Sequence, residues 1–260
     1  MNVKLKEMEL VKVDSSDLER PYYYKTVYKY QKTSTAITSL TKGTLRFSEP
    51  SAWKDPTEKT FYSVLREKEG APIVYAACVT SKQLSEASWV TYQYGNNEGC
   101  AKFSIDFFDL IKQIETWAHE HNYTFYIGKA YYRTWKELKN VGKKDESLLY
   151  KIVFKGTSLQ EDCLRMLLLK RDGFDYEREA RLFLVKSDAS EKKEDYVDVN
   201  IDWKQCLNQI YYSEDCKYVH VRKLKKMCRN MDVSVSQSTI YSKHEVNPVS
   251  WPKYSNNENK

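Results

Sequence analysis

Glycine is scarce, with 8 in 260 residues. No P-loop and no G-x-G-x-x-G stands in the chain, and neither H-E-x-x-H nor G-x-S-x-G occurs. Those absences leave kinase, Rossmann, zincin and α/β-hydrolase chemistries without support. No apolar run approaches the roughly 20 residues that a membrane span needs. The first residues, Met1-Asn2-Val3-Lys4-Leu5-Lys6-Glu7, mix charge with apolar side chains and hold no signal-peptide h-region. The expectation is a cytoplasmic chain without a membrane partner. Six cysteines form no C-x-x-C pair, which argues against a disulfide framework or a zinc knuckle. The four histidines, at 119, 121, 220 and 244, add no zinc spacing to them. No metal is expected.

What is present is a sequence able to fill a core, 41% hydrophobic, with a mild net charge of +6. That charge permits a polyanionic partner without requiring one. Tyrosine is abundant, 21 residues. Its rings suit β-sheet surfaces and also stack on bases or nicotinamide. The length fits one large domain or two small ones. It is read as one domain over 1–260, with 1–20 a loosely packed arm and 253–260 a disordered tail.

Along the chain, residues 22–30 read as a strand, and a short helix capped by Ser34 runs to Gly43. Thr44–Phe47 reads as a strand, and residues 51–59 as a loop broken at Pro56. Ile73–Val79 is nearly continuous in apolar residues and reads as a central strand. Glu86–Tyr94 reads as a short helix or turn, Cys100–Ile105 as a strand, and Asp106 as the cap of a helix with one apolar face. Tyr123–Tyr132 reads as one strand. Residues 136–147 read as an exposed loop or frayed helix. Ser158-Leu159-Gln160-Glu161 has a capping-box pattern that opens a helix ending at Arg171-Asp172-Gly173. Glu179–Lys186 reads as a strand. The last third gives a strand near Gln209–Tyr212, a basic helix near Asp215–Arg229 and a strand near Val233–Val235. Strands and helices mix without strict alternation, so the fold class is α+β.

Four segments carry candidate chemistry. In a strand through 177–181, Glu177, Glu179 and Arg181 would share one face. Carboxylates and a guanidinium at the head of a buried strand demand pairing or use; taken alone, the segment reads better as a surface salt-bridge cluster, because charged strand ends are common. Asp55 before Pro56 is held extended and can aim its carboxylate at a ligand hydroxyl, or it forms an ordinary Asp-Pro turn. Trp89 and Tyr92 stand three apart on a helix and could wall an aromatic slot or pack into a core. Tyr28 and Tyr30 point the same way from a strand.

The order of these segments resembles that of a bacterial family long described only as a domain of unknown function. The series is Tyr28-Lys29-Tyr30, then Leu45-Arg46-Phe47-Ser48 with Trp53-Lys54-Asp55-Pro56-Thr57-Glu58, then Trp89-Val90-Thr91-Tyr92 leading to Gly99, then Tyr176-Glu177-Arg178-Glu179-Ala180-Arg181-Leu182. It spans about residues 26–186. Lys54, Thr57 and Gln93 depart from the family pattern, and Tyr28 stands where a His or Arg commonly opens an ADP-ribosyltransferase signature. The family looks like a divergent ADP-ribosyltransferase branch with members in toxin–antitoxin and anti-phage loci, and the RNA-modifying CmdT-type toxins are similar in function. The resemblance implies a split mixed-sheet core with flanking helices and NAD as the ADP-ribose donor, without a metal. It implies Glu179 as the carboxylate that stabilises the oxocarbenium-like ribose. Glu177 would orient or deprotonate the acceptor. Arg181 would hold the carboxylates or a phosphate. Trp89 or Tyr92 would stack on nicotinamide, with Tyr28, Tyr30 and Asp55 contributing to the donor site.

The acceptor expected is nucleic acid. Cations at 222, 223, 225, 226 and 229, and at 139, 143 and 144, could track a phosphate backbone, or they form a solvated face. Single-stranded RNA suits the mild charge and aromatic content better than duplex DNA. An antitoxin protein would be a further partner. Two other readings stay open: a NAD glycohydrolase of the same fold, and a non-enzymatic nucleic-acid-binding module.

Overall fold

The computed structural model describes residues 8–14, 24–83, 86–93, 98–143, 147–186 and 194–239. In chain order the elements are β1 (Leu10–Lys12), β2 (Thr26–Lys32), α1 (Thr33–Lys42), β3 (Thr44–Ser48), α2 (Pro56–Arg66), β4 (Ile73–Thr80), α3 (Glu86–Gln93), β5 (Cys100–Asp106), α4 (Phe107–Glu120), β6 (Thr124–Lys129), β7 (Tyr131–Arg133) and α5 (Trp135–Leu138). There follow α6 (Leu148–Val153), α7 (Leu159–Leu167), β8 (Leu169–Arg171), β9 (Glu179–Lys186), β10 (Tyr196–Asn200), α8 (Trp203–Cys206), β11 (Leu207–Tyr212), α9 (Tyr218–Arg229) and β12 (Ser234–Gln237). Among the described residues there are also two 3-10 turns, Pro50–Ala52 and Asp172–Glu177. The class is α+β: a mixed ten-stranded sheet with helices packed on its faces.

The sheet runs β1-β6-β9-β4-β2-β5-β11-β12, with β3 joining β4 and β10 joining β3. Within each half the ladders are long. β4 pairs with β9 from Ile73–Lys186 to Thr80–Glu179, and β2 pairs with β5 from Thr26–Asp106 to Lys32–Cys100. Between the halves, β2 and β4 meet at one residue pair, Tyr28 with Thr80. Beyond it β4 turns to β3 at Ala76–Ser48. The Cys78 carbonyl between those contacts accepts the Lys29 ammonium at 3.1 Å. The sheet is therefore split, and a cleft opens where the ladder stops.

Two cores lie on the two faces. Val27, Phe103, Ile105, Val79, Leu182 and Leu184 point into the first, under α1, α4 and α9. Val74, Ala76, Phe183 and Val185 belong to the second, with Leu164, Leu167 and Leu168 of the α7 region. A smaller aromatic cluster joins Tyr28, Tyr30, Trp89 and Cys100, with Tyr211 packed against it. In the stretch expected to be a loose arm, β1 pairs with β6 and Met8 and Val13 are buried. Residues 1–7, 15–20 and 253–260 lie outside the described residues.

Three sequence expectations are corrected. Pro56 does not break a loop; it opens α2, with Asp55 as N-cap accepting the Thr57 N–H at 2.7 Å. Proline is tolerated at the first helical position because its missing N–H has no partner there. Tyr123–Tyr132 is two strands: β6 follows β9, then the Tyr131 N–H bonds the Leu168 carbonyl at 2.7 Å and the chain joins β8 in a parallel pair. That same pairing ends the α7 helix at Leu167, short of Arg171. Gly128 permits the approach, since a Cβ there would sit 2.6 Å from Leu168 Cδ1. The strand β10 was not anticipated; its Tyr-Val-Asp-Val-Asn alternates as an edge strand should.

Candidate active site in the split of the sheet

Strand alternation sets the site. Tyr28 lies opposite Thr80, and Thr80 opposite Glu179. Cys78 lies opposite Arg181. These side chains share one face of the sheet with Tyr30. They line the cleft together with Trp53, Lys54, Asp55, Pro56 and Glu58 and with Lys170, Arg171, Phe174 and Glu177.

Glu179 is buried, 7% exposed. Its Oε1 accepts Arg181 Nε at 3.1 Å, and its Oε2 accepts Lys170 Nζ at 2.5 Å and Arg181 Nη2 at 3.2 Å. Burial opposes ionisation of this carboxyl. Arg181 and then Lys170 more than offset it, holding the group down to about 2. Its backbone N–H donates to the Tyr132 hydroxyl at 2.9 Å.

Arg181 is 1% exposed. It also donates to Glu58 and to the Leu167 carbonyl, and the Trp53 ring covers it at 4.6 Å. With those partners the guanidinium holds carboxylates rather than a phosphate.

Glu177 shares Lys170 with Glu179. The expected common strand face for Glu177 and Glu179 is corrected. Glu177 ends the 3-10 turn, and Arg178 stands at φ 44, in the left-handed region. Only Glu179 and Arg181 are strand neighbours; Lys170 brings Glu177 in from outside the ladder. Burial raises the Glu177 carboxyl above its ordinary value, against the pull of Lys170. Thus three carboxylates, at 58, 177 and 179, are in direct contact with two cations, at 170 and 181.

Asp55 keeps the extended backbone expected of a residue before proline, at φ −69 and ψ 119. Its second oxygen binds Arg171 Nη2 at 2.9 Å, so it caps α2 and ties the wall to β8. Tyr28 and Tyr30 both line the cleft. Trp89 does not: it is fully buried and packs edge-on against Tyr30, centroids 5.2 Å apart. Helix α3 lies on β2 and β5, and that packing turns the indole into the wall instead of the cleft. The side chain of Tyr92 lies outside the described residues.

Lys170 and Glu58 also line the cleft, and Tyr132 backs it through the Glu179 N–H. From the sequence, Glu58 stands in the 53–58 segment without a role, and neither Lys170 nor Tyr132 is singled out. Lys170 follows Leu167-Leu168-Leu169; a lysine closing an apolar run was its only local signal. The rim carries the exposed cations Lys32 and Lys54. Lys54 makes no ion pair among the described residues.

Among the described residues, no group of three or more His, Cys, Asp or Glu is placed to hold a metal ion, and no helix is long and apolar enough to cross a membrane. No protein-family model matches the chain, and no curated protein matches it. Among solved structures, Thermus sp. 2.9 DarT in complex with NAD+ is similar over 84% of this chain and 96% of that one, with 10% sequence identity and a TM-score of 0.31.

Proposed function

We propose that the cleft binds NAD as an ADP-ribose donor and that the protein is an ADP-ribosyltransferase with Glu179 as its catalytic carboxylate. The observation that carries this reading is the charge layout of the split. Its floor holds more carboxylates than contacting cations, and its rim holds Lys32 and Lys54. A diphosphate suits the rim, and a ribose turning cationic suits the floor. The flat rings of Tyr28 and Tyr30 offer apolar contact between them.

In the reaction, the bond between ribose C1 and the nicotinamide nitrogen breaks, and nicotinamide leaves with the electron pair. The ionised Glu179, held by Arg181 and Lys170, faces the developing positive charge without having to reorganise. The acceptor atom then bonds to C1 and gives its proton to Glu177, whose raised pKa makes it the better base of the pair.

The acceptor we favour is RNA. Helix α9 buries Val221, Leu224 and Cys228 and leaves Arg222, Lys223, Lys225, Lys226 and Arg229 exposed. Tyr218 at its start is 81% exposed, a ring free to stack on a base. Modification of cellular RNA would make the protein a toxin of a defence or toxin–antitoxin system, with an antitoxin as its partner.

The test is labelled NAD incubated with separated RNA, DNA and protein fractions. Label should enter RNA, and Glu179→Gln should reduce transfer by at least about 10²–10³-fold. Unchanged transfer in that variant would sink the assignment. Nicotinamide release without any labelled acceptor would identify a glycohydrolase instead.

A further inference from the structure

Lys102 is buried, 1% exposed, in the middle of β5. The register places it opposite Tyr30, on the cleft face of the sheet. Its ammonium lies 4.1 Å from the Tyr211 ring centre, 5.2 Å from Tyr28, 5.9 Å from Tyr30 and 6.0 Å from Trp89. Among the described residues, its hydrogen bond goes to the Gln83 carbonyl, at 2.7 Å. The Tyr30 hydroxyl reaches the same carbonyl at 3.5 Å. Gln83 belongs to the segment that leaves β4, in one half-sheet, towards α3, which packs on the other.

A buried ammonium without a carboxylate partner is costly unless its surroundings supply the compensation. Here four ring faces and one carbonyl supply it. An apolar residue would fill the place at lower cost, so the charge has a use. We propose that Lys102 is a positioning residue that clamps the segment 81–83 across the split and holds Tyr28 and Tyr30 as a fixed wall of the cleft. The ligand arm of the test below rests on the reading of the cleft as a NAD site; the clamp itself does not.

Burial pushes the Lys102 ammonium down to about 8, so it is protonated at neutral pH; deprotonation on mild alkalinisation removes its cation–π contacts and the charge on its bond to Gln83, which weakens the clamp. The titratable groups around it are Tyr28 and Tyr30 from β2, Cys100 on its own strand and Tyr211 from β11. Burial, and then Tyr211, raise the Tyr28 phenol, and burial pushes the Cys100 thiol up to about 12. Burial is what lowers the Lys102 ammonium.

The experiment compares wild type, Lys102→Met and Lys102→Arg by amide hydrogen exchange at 80–83 and by calorimetric NAD binding from pH 7 to 9. In wild type, protection at 80–83, corrected for intrinsic exchange, should fall with a midpoint near pH 8, and NAD affinity should fall by up to about ten-fold as the competent fraction drops. Lys102→Met should show low protection at every pH. Lys102→Arg, charged throughout, should remove the alkaline fall. Equal, pH-independent protection in wild type and Lys102→Met would overturn the proposal. NAD binding absent at every pH would remove the donor-site reading, while the exchange profiles would still decide the clamp.

Discussion

Replacing Glu179 by Gln tests the cleft floor as an ionised network, independent of any ligand. Its carboxylate is held down to about 2, from an ordinary value of 4.5, because Arg181 and Lys170 outweigh burial. Each tenfold gain in acid strength on folding corresponds to about 1.4 kcal/mol, so the ionised form adds about 3 kcal/mol to stability at pH 7. The loss in the variant stays near that figure because neither cation is stranded. Lys170 keeps Glu177, and Arg181 keeps Glu58 and the Leu167 carbonyl. For a domain of this size each kcal/mol moves Tm by roughly 2–4 °C, so the variant should melt roughly 6–12 °C lower at pH 7. The folded value lies below the unfolded one. The contribution is therefore present above the unfolded value and is lost as pH falls towards the folded one. The variant cannot titrate there, so the stability gap should close to under about half by pH 3. Urea unfolding followed by tryptophan fluorescence at pH 7, 5, 4 and 3 measures the gap directly. A gap that is the same at pH 7 and pH 3, or none at pH 7, would refute the ionised network.

Two further perturbations probe the frame and the proposed RNA-binding face of α9. Gly99 stands at φ +81, and a Cβ there would lie 2.5 Å from the Cys216 backbone; Gly99→Ala should destabilise by more than about 1–3 kcal/mol, the usual range for overpacking, and a melting point within 2–3 °C of wild type would contradict this. Reversing charge at Arg222, Lys226 and Arg229, all exposed on α9, should weaken RNA binding. It should also reduce the slope of log affinity against log salt by about 2, at about 0.7 per phosphate contact; an unchanged slope in a salt titration would refute the proposed role of α9 in RNA binding.

The strand-borne part of the site was legible because side-chain alternation is local. Tyr28 and Tyr30, and likewise Glu179 and Arg181, stand two apart in strands, and that spacing alone places each pair on one face. Glu177 escaped the same rule because Arg178, a non-glycine residue at φ 44, reverses the chain before the strand begins. Nothing in its side chain announces that conformation. Pro56 misled for a related reason: the residue that ends loops also opens helices. Asp55-Pro56-Thr57-Glu58 carries a cap, a first-turn proline and an acidic third residue. Yet Glu58 is not used to bond back to its own cap; it is buried against Arg181, 123 residues away.

That distance along the chain marks the limit of local reading. Arg171 meets Asp55 across 116 residues, and Lys170 joins Glu177 to Glu179 from a strand that periodicity alone assigns to the preceding helix. Spacing arguments rank neighbours within a turn or a strand; they carry no information about which distant cation a buried carboxylate meets. A different signal does reach that far. Lys102 stands between Cys100-Ala101 and Phe103, and Lys170 closes the apolar run Leu167-Leu168-Leu169. An ammonium in such a run must find compensation inside the fold. In the structure one finds two carboxylates and the other four rings, and both stand at the split between the half-sheets. The lysines that break the apolar pattern therefore mark the cleft more directly than the aromatic pair Trp89 and Tyr92, whose helical spacing serves a packed wall as well as an open slot.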